Sequence, residues 1–154
     1  MGASAFVQAN YKFWRNLMPD KYEGGCHCGA VRYSCEEMPE YTFYCHCRDC
    51  QKTTGSPVSM ELMVKDPTFE VSGDLADYVV TGDSGKPVTR HHCRQCGAGV
   101  YLECASDPGY VFIKVGSLDD ASWVEPQMHI FTASRQPWFV VDDGLPQFAG
   151  MPEE

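Results

Sequence analysis

From Tyr22 onward, short runs rich in Val, Tyr, Phe and Thr alternate with breaks at Gly, Pro and Asp. That punctuation belongs to short β-strands joined by turns. It predicts strands near residues 30–36, 40–45, 57–64, 68–72, 76–81, 87–92, 98–103, 110–115, 128–132 and 138–141. Val111-Phe112-Ile113-Lys114-Val115 and Tyr78-Val79-Val80 carry the pattern most clearly. No amphipathic helix of ~12 residues separates the runs, which argues against a parallel α/β sheet. Ahead of them, residues 4–18 place Phe6, Val7, Phe13, Trp14, Leu17 and Met18 between a capping Ser4 and Pro19, the pattern of a short helix. The stretch 142–154 holds Gly144, Pro146, Gly150 and Pro152 and reads as an irregular tail. The expected architecture is therefore mainly β: one domain of several short antiparallel strands over 22–152, preceded by a helical extension over 1–21.

Charge narrows the function. The 154-residue chain has 12 Lys+Arg against 21 Asp+Glu, a net −9. A nucleic-acid binder needs a basic face, and adhesion to an anionic membrane needs basic residues too, so neither partner is expected. No run approaches the ~18 apolar residues of a membrane span. The N-terminus lacks the basic start and apolar run of a signal peptide, and Phe6 stands where a myristoylation signal requires Ser or Thr. The expected compartment is the cytoplasm, where disulfides are disfavoured and cysteines need another explanation.

Nine cysteines stand at 26, 28, 35, 45, 47, 50, 93, 96 and 104. Seven fall into tight groups: C-x-C at Cys26 and Cys28, C-x-C-x-x-C at Cys45, Cys47 and Cys50, and C-x-x-C at Cys93 and Cys96. An odd total fits a disulfide framework poorly, and such close neighbours make strained bridges. They readily aim two sulfurs at one ion, and a structural zinc takes four ligands. Seven thiolates divide as four plus three. The C-x-C and the distant C-x-x-C form a closed knot, and the central group holds a second zinc with one position left over, as at catalytic sites. Spacing alone also permits the C-x-x-C to join part of the central group. Cys35 and Cys104 stand apart, as small buried residues or as a fourth ligand for the second zinc.

The ordered set resembles the glutathione-dependent formaldehyde-activating enzyme family, which includes centromere protein V. The resemblance runs over about residues 22–152. It rests on Gly24-Gly25-Cys26-His27-Cys28-Gly29-Ala30-Val31-Arg32-Tyr33, Cys45-His46-Cys47-Arg48-Asp49-Cys50-Gln51-Lys52-Thr53-Thr54-Gly55 and Cys93-Arg94-Gln95-Cys96-Gly97. Further on it includes Gly116-Ser117-Leu118-Asp119-Asp120, Pro126-Gln127-Met128-His129-Ile130 and Pro137-Trp138. It implies a β-tent fold. It implies a structural zinc on Cys26, Cys28, Cys93 and Cys96, and a catalytic zinc on Cys45, Cys47 and Cys50. The activity it implies is carbon–sulfur lyase chemistry, glutathione plus formaldehyde to and from S-hydroxymethylglutathione.

A zinc with three thiolates suits a fourth sulfur donor, so the expected partner is a small-molecule thiol or its aldehyde adduct. The reaction needs an acid/base near the carbon-bound oxygen, and His46, inside the central group, is the first candidate. His27 and His129 are weaker candidates, and at most one of His91 and His92 can face a given site, because neighbours on a strand point to opposite faces. Arg48 and Lys52, with Arg94, are candidates for binding substrate carboxylates. Two other functions compete. A non-catalytic zinc module that binds a protein predicts a filled fourth position and no pocket. A thiol redox enzyme needs a free activated cysteine, and only Cys35 and Cys104 are spare.

Overall fold

The computed structural model describes residues 18–152, so the helix expected over 4–18 lies outside the described residues, apart from Met18. Ten strands follow in order: β1 Tyr22–Gly25, β2 Arg32–Cys35, β3 Tyr41–Cys45, β4 Ser59–Lys65, β5 Glu70–Ser72, β6 Leu75–Thr81, β7 Pro87–Cys93, β8 Gly99–Cys104, β9 Tyr110–Lys114 and β10 Met128–Ile130. Between β3 and β4 lies one α-helix, α1, Arg48–Thr54, and two 3-10 turns stand at Val115–Ser117 and Thr132–Ser134. The protein is mainly β, as its alternation predicts. Among the described residues, no helix is long and apolar enough to cross a membrane.

The strands form a three-stranded sheet, β1-β2-β5, and a seven-stranded sheet, β10-β3-β4-β9-β8-β7-β6. All pairings of named strands are antiparallel except β10 with β3. Alternation along each strand gives the large sheet two different faces. Leu62, Val64, Val111, Ile113 and Tyr101 project to one face and pack with Tyr22, Val31, Tyr33 and Cys35 of the small sheet. Phe43, Leu102, Phe112 and Ile130 project to the other, together with Cys45 and with Cys50 of α1.

Three local features depart from the strand pattern. β1 contains Gly24-Gly25, which carry no β signature. A Cβ at Gly24 would collide with the Ser117 carbonyl oxygen and the Tyr33 ring, so glycine is needed for the close approach. α1 has only seven residues, too few to show helical periodicity, and its caps define it. The Cys47 sulfur accepts from the Cys50 backbone N–H, and Gly55 ends the helix in the left-handed region at φ 65°. The strand expected over 138–141 does not form. The chain turns at Pro137-Trp138, and Val140 is 80% exposed.

Candidate metal centres

Cys26 follows the last residue of β1 and Cys93 closes β7, and each begins a tight turn. Gly29 N–H donates to the Cys26 carbonyl and Cys26 N–H to the Val31 carbonyl. In parallel, Gly97 N–H donates to the Cys93 carbonyl and Cys93 N–H to the Ala98 carbonyl. Gly29 and Gly97 sit at φ 78° and 75°, where glycine is unstrained. The two turns face one another, and all four Sγ atoms lie within 4.8 Å of each other. Cys26 and Cys28 sulfurs are 3.5 Å apart, and Cys28 and Cys93 sulfurs 3.8 Å apart across 65 residues. A tetrahedral zinc with ~2.3 Å bonds requires about this S···S separation, so the donor set fits the metal. The Val31 N–H also points at Cys26 Sγ, at 3.2 Å, which stabilises a thiolate there.

Cys45 ends β3, Cys47 caps α1 and Cys50 lies in its first turn. Their three sulfurs also lie within 4.8 Å of each other. The Cys50 N–H donates to Cys47 Sγ at 3.3 Å, and the Cys45 and Cys50 sulfurs lie close to it. The contacts with Cys45 and Cys50 hold Cys47 below the usual thiol range, and the same contacts, with burial, push Cys45 up. The Cys50 N–H at Cys47 Sγ favours a thiolate there, as a soft cation requires. Among the described residues, neither cysteine group includes a histidine, a carboxylate, Cys35 or Cys104.

Buried charge lies beside the three-thiol group. Cys50 Sγ is 3.7 Å from Glu61 Oε1, and Ser59 Oγ donates to the same oxygen at 3.0 Å. Lys114 Nζ forms an ion pair with Glu61 and donates to Ser59 Oγ at 2.9 Å. Burial raises the Glu61 carboxyl against the pull of Lys114. For Lys114, burial is outweighed by Glu61 and Cys50, which hold it charged. Gln51 anchors α1 from below: its amide donates to the His46 carbonyl at 2.6 Å and to the Ser134 carbonyl at 3.0 Å.

The histidines separate clearly. His46 is fully buried, its Nε2 2.8 Å from His129 Nδ1, and His129 Nε2 is 2.9 Å from Asp143 Oδ2. Burial, then His129 and Arg135, lower His46 to about 4, so it is a neutral imidazole near pH 7. Burial opposes ionisation of Asp143, but the His129 hydrogen bond prevails and holds it low. With Asp143 accepting from His129 Nε2, His129 Nδ1 accepts from His46 Nε2. That leaves His46 Nδ1 as a bare acceptor, and it has no partner. His27 is exposed. His91 bridges Asp77 and Glu103 at 2.7 Å each and stacks on Tyr101. Against the expectation that only one of the pair could face a given site, both His91 and His92 line a cleft of ≈ 600 Å³ that also includes Thr53 and Thr54 of α1, because the strand register shifts between them.

The candidate carboxylate binders lie apart. Arg48 and Lys52 are exposed on α1, with Arg48 donating to Gln51 Oε1. Arg94 is engaged by Asp74 at 3.1 Å and the Leu75 carbonyl at 3.0 Å. Cys35 is fully buried in the first core. Cys104, half-buried at the end of β8, has its thiol pushed up to about 12 by burial and by Asp107 and Glu61.

Comparison with known proteins agrees with this arrangement. The family described as glutathione-dependent formaldehyde-activating enzyme matches residues 21–134. A Halomonas elongata protein described as a candidate enzyme of that name is 26% identical over 148 residues, 86% of this chain and 89% of the relative. A Phaeosphaeria nodorum protein of the same description is 25% identical over 135 residues, 82% of this chain and 68% of the relative. The fold is also similar to a crystal structure of a Rhodobacter sphaeroides protein, with TM-score 0.54 and 21% identity over 82% of this chain and 98% of that one. The matched span contains both cysteine groups and the strands that converge them, and the chain belongs to the glutathione-dependent formaldehyde-activating enzyme family.

Proposed function

We propose that the protein is a zinc-dependent carbon–sulfur lyase acting on a thiol–aldehyde adduct, with glutathione plus formaldehyde to and from S-hydroxymethylglutathione as its reaction. The observation that carries this reading is the composition of the second group: three convergent thiols and, among the described residues, no fourth ligand atom that closes on all three, Glu61 approaching Cys50 alone. Cys26, Cys28, Cys93 and Cys96 would hold a structural zinc, and Cys45, Cys47 and Cys50 a catalytic one. When bound at the three thiols, zinc supplies Lewis acidity that keeps a thiol sulfur ionised.

The chain's own residues supply the proton chemistry. His46 Nδ1, a neutral and unpartnered acceptor, takes the hydroxyl proton of the adduct. As that proton leaves, the O–H electrons form the C=O bond, and the C–S pair departs on sulfur. In the reverse direction His46 returns the proton to the oxygen as sulfur adds to carbon. Asp143 and His129 hold the His46 tautomer, and Lys114 balances Glu61 beside the thiolates. Arg48 and Lys52 are the substrate-binding cations nearest the thiols in sequence. Nine free thiols suit the reducing cytoplasm.

Redox work is disfavoured, because Cys35 is inaccessible and Cys104 stays protonated at neutral pH. A protein-binding module has one observation in its favour: Trp138 and Val140 are 69% and 80% exposed. The deciding experiment mixes the zinc-loaded protein with glutathione and formaldehyde and follows exchange of adduct and free thiol by NMR. Exchange faster than the uncatalysed rate, abolished by Cys47→Ser, supports the lyase. An unchanged rate with glutathione and with every other small thiol leaves the binding module.

A further inference from the structure

Arg90 is the outlier among the cations. It lies on β7, on the same face as Val88, and pairs across the sheet with Leu102 of the second core. The residue is only 9% exposed. Its Nη2 is 3.9 Å from Asp49, a half-exposed carboxylate between Cys47 and Cys50, and its Nε and Nη1 have no partner. A buried cation without hydrogen-bond acceptors is a costly arrangement that native folds seldom keep without a use. Other cations near the centres are engaged: Lys114 by Glu61 and Ser59, Arg94 by Asp74, Arg48 by Gln51.

Arg90 also lines the cleft of ≈ 600 Å³, with the hydroxyl side chains of Thr53, Thr54 and Ser59, and with Tyr78 and Lys114. This volume lies in the range of small-ligand sites. One wall is the C-terminal end of α1, whose N-terminal end carries Cys47 and Cys50. Arg90, Glu61 and Cys50 all act electrostatically on Cys104, so the cleft's cation and the three-thiol group share one neighbourhood. The chain has net charge −9, so a local cation is what would admit an anion here.

We propose that this cleft is a carboxylate-binding subsite in which Arg90 takes one carboxylate of the substrate, in addition to the contacts assigned to Arg48 and Lys52. The guanidinium fork, with Nε and Nη1 both unpartnered, matches the two oxygens of a carboxylate. The subsite confines the substrate class to thiols that carry a carboxylate several bonds from the sulfur, peptidic thiols among them. Only the identification of the ligand as a thiol rests on the lyase reading.

The test keeps the two apart. Calorimetry measures binding of S-methylglutathione, whose sulfur is blocked, to zinc-loaded wild type, Arg90→Met, Arg90→Lys and the remote surface variant Lys65→Met. Arg90→Met should weaken binding by about tenfold or more, as expected for a lost charged hydrogen bond. Arg90→Lys should fall between, and Lys65→Met should match wild type. If Arg90→Met does not fold, Arg90→Lys alone must show weakened binding. In turnover, Arg90→Met should raise KM for glutathione with kcat nearly unchanged, and leave 2-mercaptoethanol, which has no carboxylate, unaffected. Absence of turnover in wild type would remove the lyase reading, and calorimetry would still decide the subsite. No binding by wild type, equal binding by wild type and Arg90→Met, or equal loss with both thiols would overturn the subsite.

Discussion

Glu61 and Lys114 stand opposite one another on β4 and β9, and their buried side chains form an ion pair against Cys50. Removing one member leaves the other charged and unpaired. Lys114→Met should cost about 3–5 kcal/mol in denaturant unfolding, the usual loss when a buried pair is broken. It should also release metal from the three thiols at lower chelator concentration, because the Glu61 carboxylate then repels the thiolates. The double variant Glu61→Leu with Lys114→Met should recover most of the stability. A single-variant loss below about 1 kcal/mol would mean that the pair behaves as a surface contact.

His46 depends on a partner 83 residues away. His129→Phe keeps a ring in place but removes the acceptor for His46 Nε2 and the donor to Asp143. We expect kcat to fall by on the order of 10- to 100-fold, short of the full effect of losing a general base, with metal content unchanged. Asp143→Asn should lose less. Unchanged kcat in His129→Phe would separate His46 from the chemistry.

Cys93→Ser and Cys47→Ser should fail differently. Cys93 is 1% exposed within the first core, and its site joins the two sheets. Its loss should remove a large part of the ~10–16 kcal/mol that a structural zinc lends to folding, seen as insoluble or early-melting protein. Serine at position 47 can still accept the Cys50 N–H as a helix cap, so that variant should stay folded. It should lose the second metal, measured by elemental analysis, and activity with it.

Alkylation tests the environment of Cys104. Its thiol is pushed up to about 12, so it is protonated at pH 8 and reacts slowly. In zinc-loaded protein, its iodoacetamide rate should rise about tenfold per pH unit beyond pH 9, where an ordinary thiol levels off. Peptide mapping by mass spectrometry reads the rate. Modification at pH 8 as fast as free cysteine would contradict the buried environment.

The parts legible in the sequence were those with local signals. The alternating runs gave β6 and β9 nearly to the residue, and the cysteine spacing divided four from three. α1 escaped because a sulfur caps it and seven residues show no period. β1 was hidden by its glycines, and Val140-Val141 imitated a strand although Pro137 precedes a turn. The charged groups around the three thiols escaped for a different reason. A single Glu or Arg within a strand reads as a solvent-facing residue until its neighbours are known. Glu61, flanked by Met60 and Leu62-Met63-Val64, was the one available clue, since a carboxylate amid so many apolar residues demands a partner. That the partner is Lys114 follows only from the register of β4 with β9. Arg90 and Gln51 likewise gain their meaning from residues distant in sequence.

The two cysteine groups differ in reach, and with the proposed metals bound this would couple the protein to its metal supply in two ways. Cys45, Cys47 and Cys50 lie on one strand–turn–helix segment, so their site can empty while the remaining backbone pairings stand. Cys26 and Cys28 are tied to Cys93 and Cys96, and that site survives only in the native topology. With the proposed zinc held there, stability would be linked to free zinc by mass action: near saturation, each tenfold fall in free metal would remove about 1.4 kcal/mol. As zinc becomes scarce the melting temperature should slide rather than step, so the abundance of folded protein becomes a readout of zinc availability.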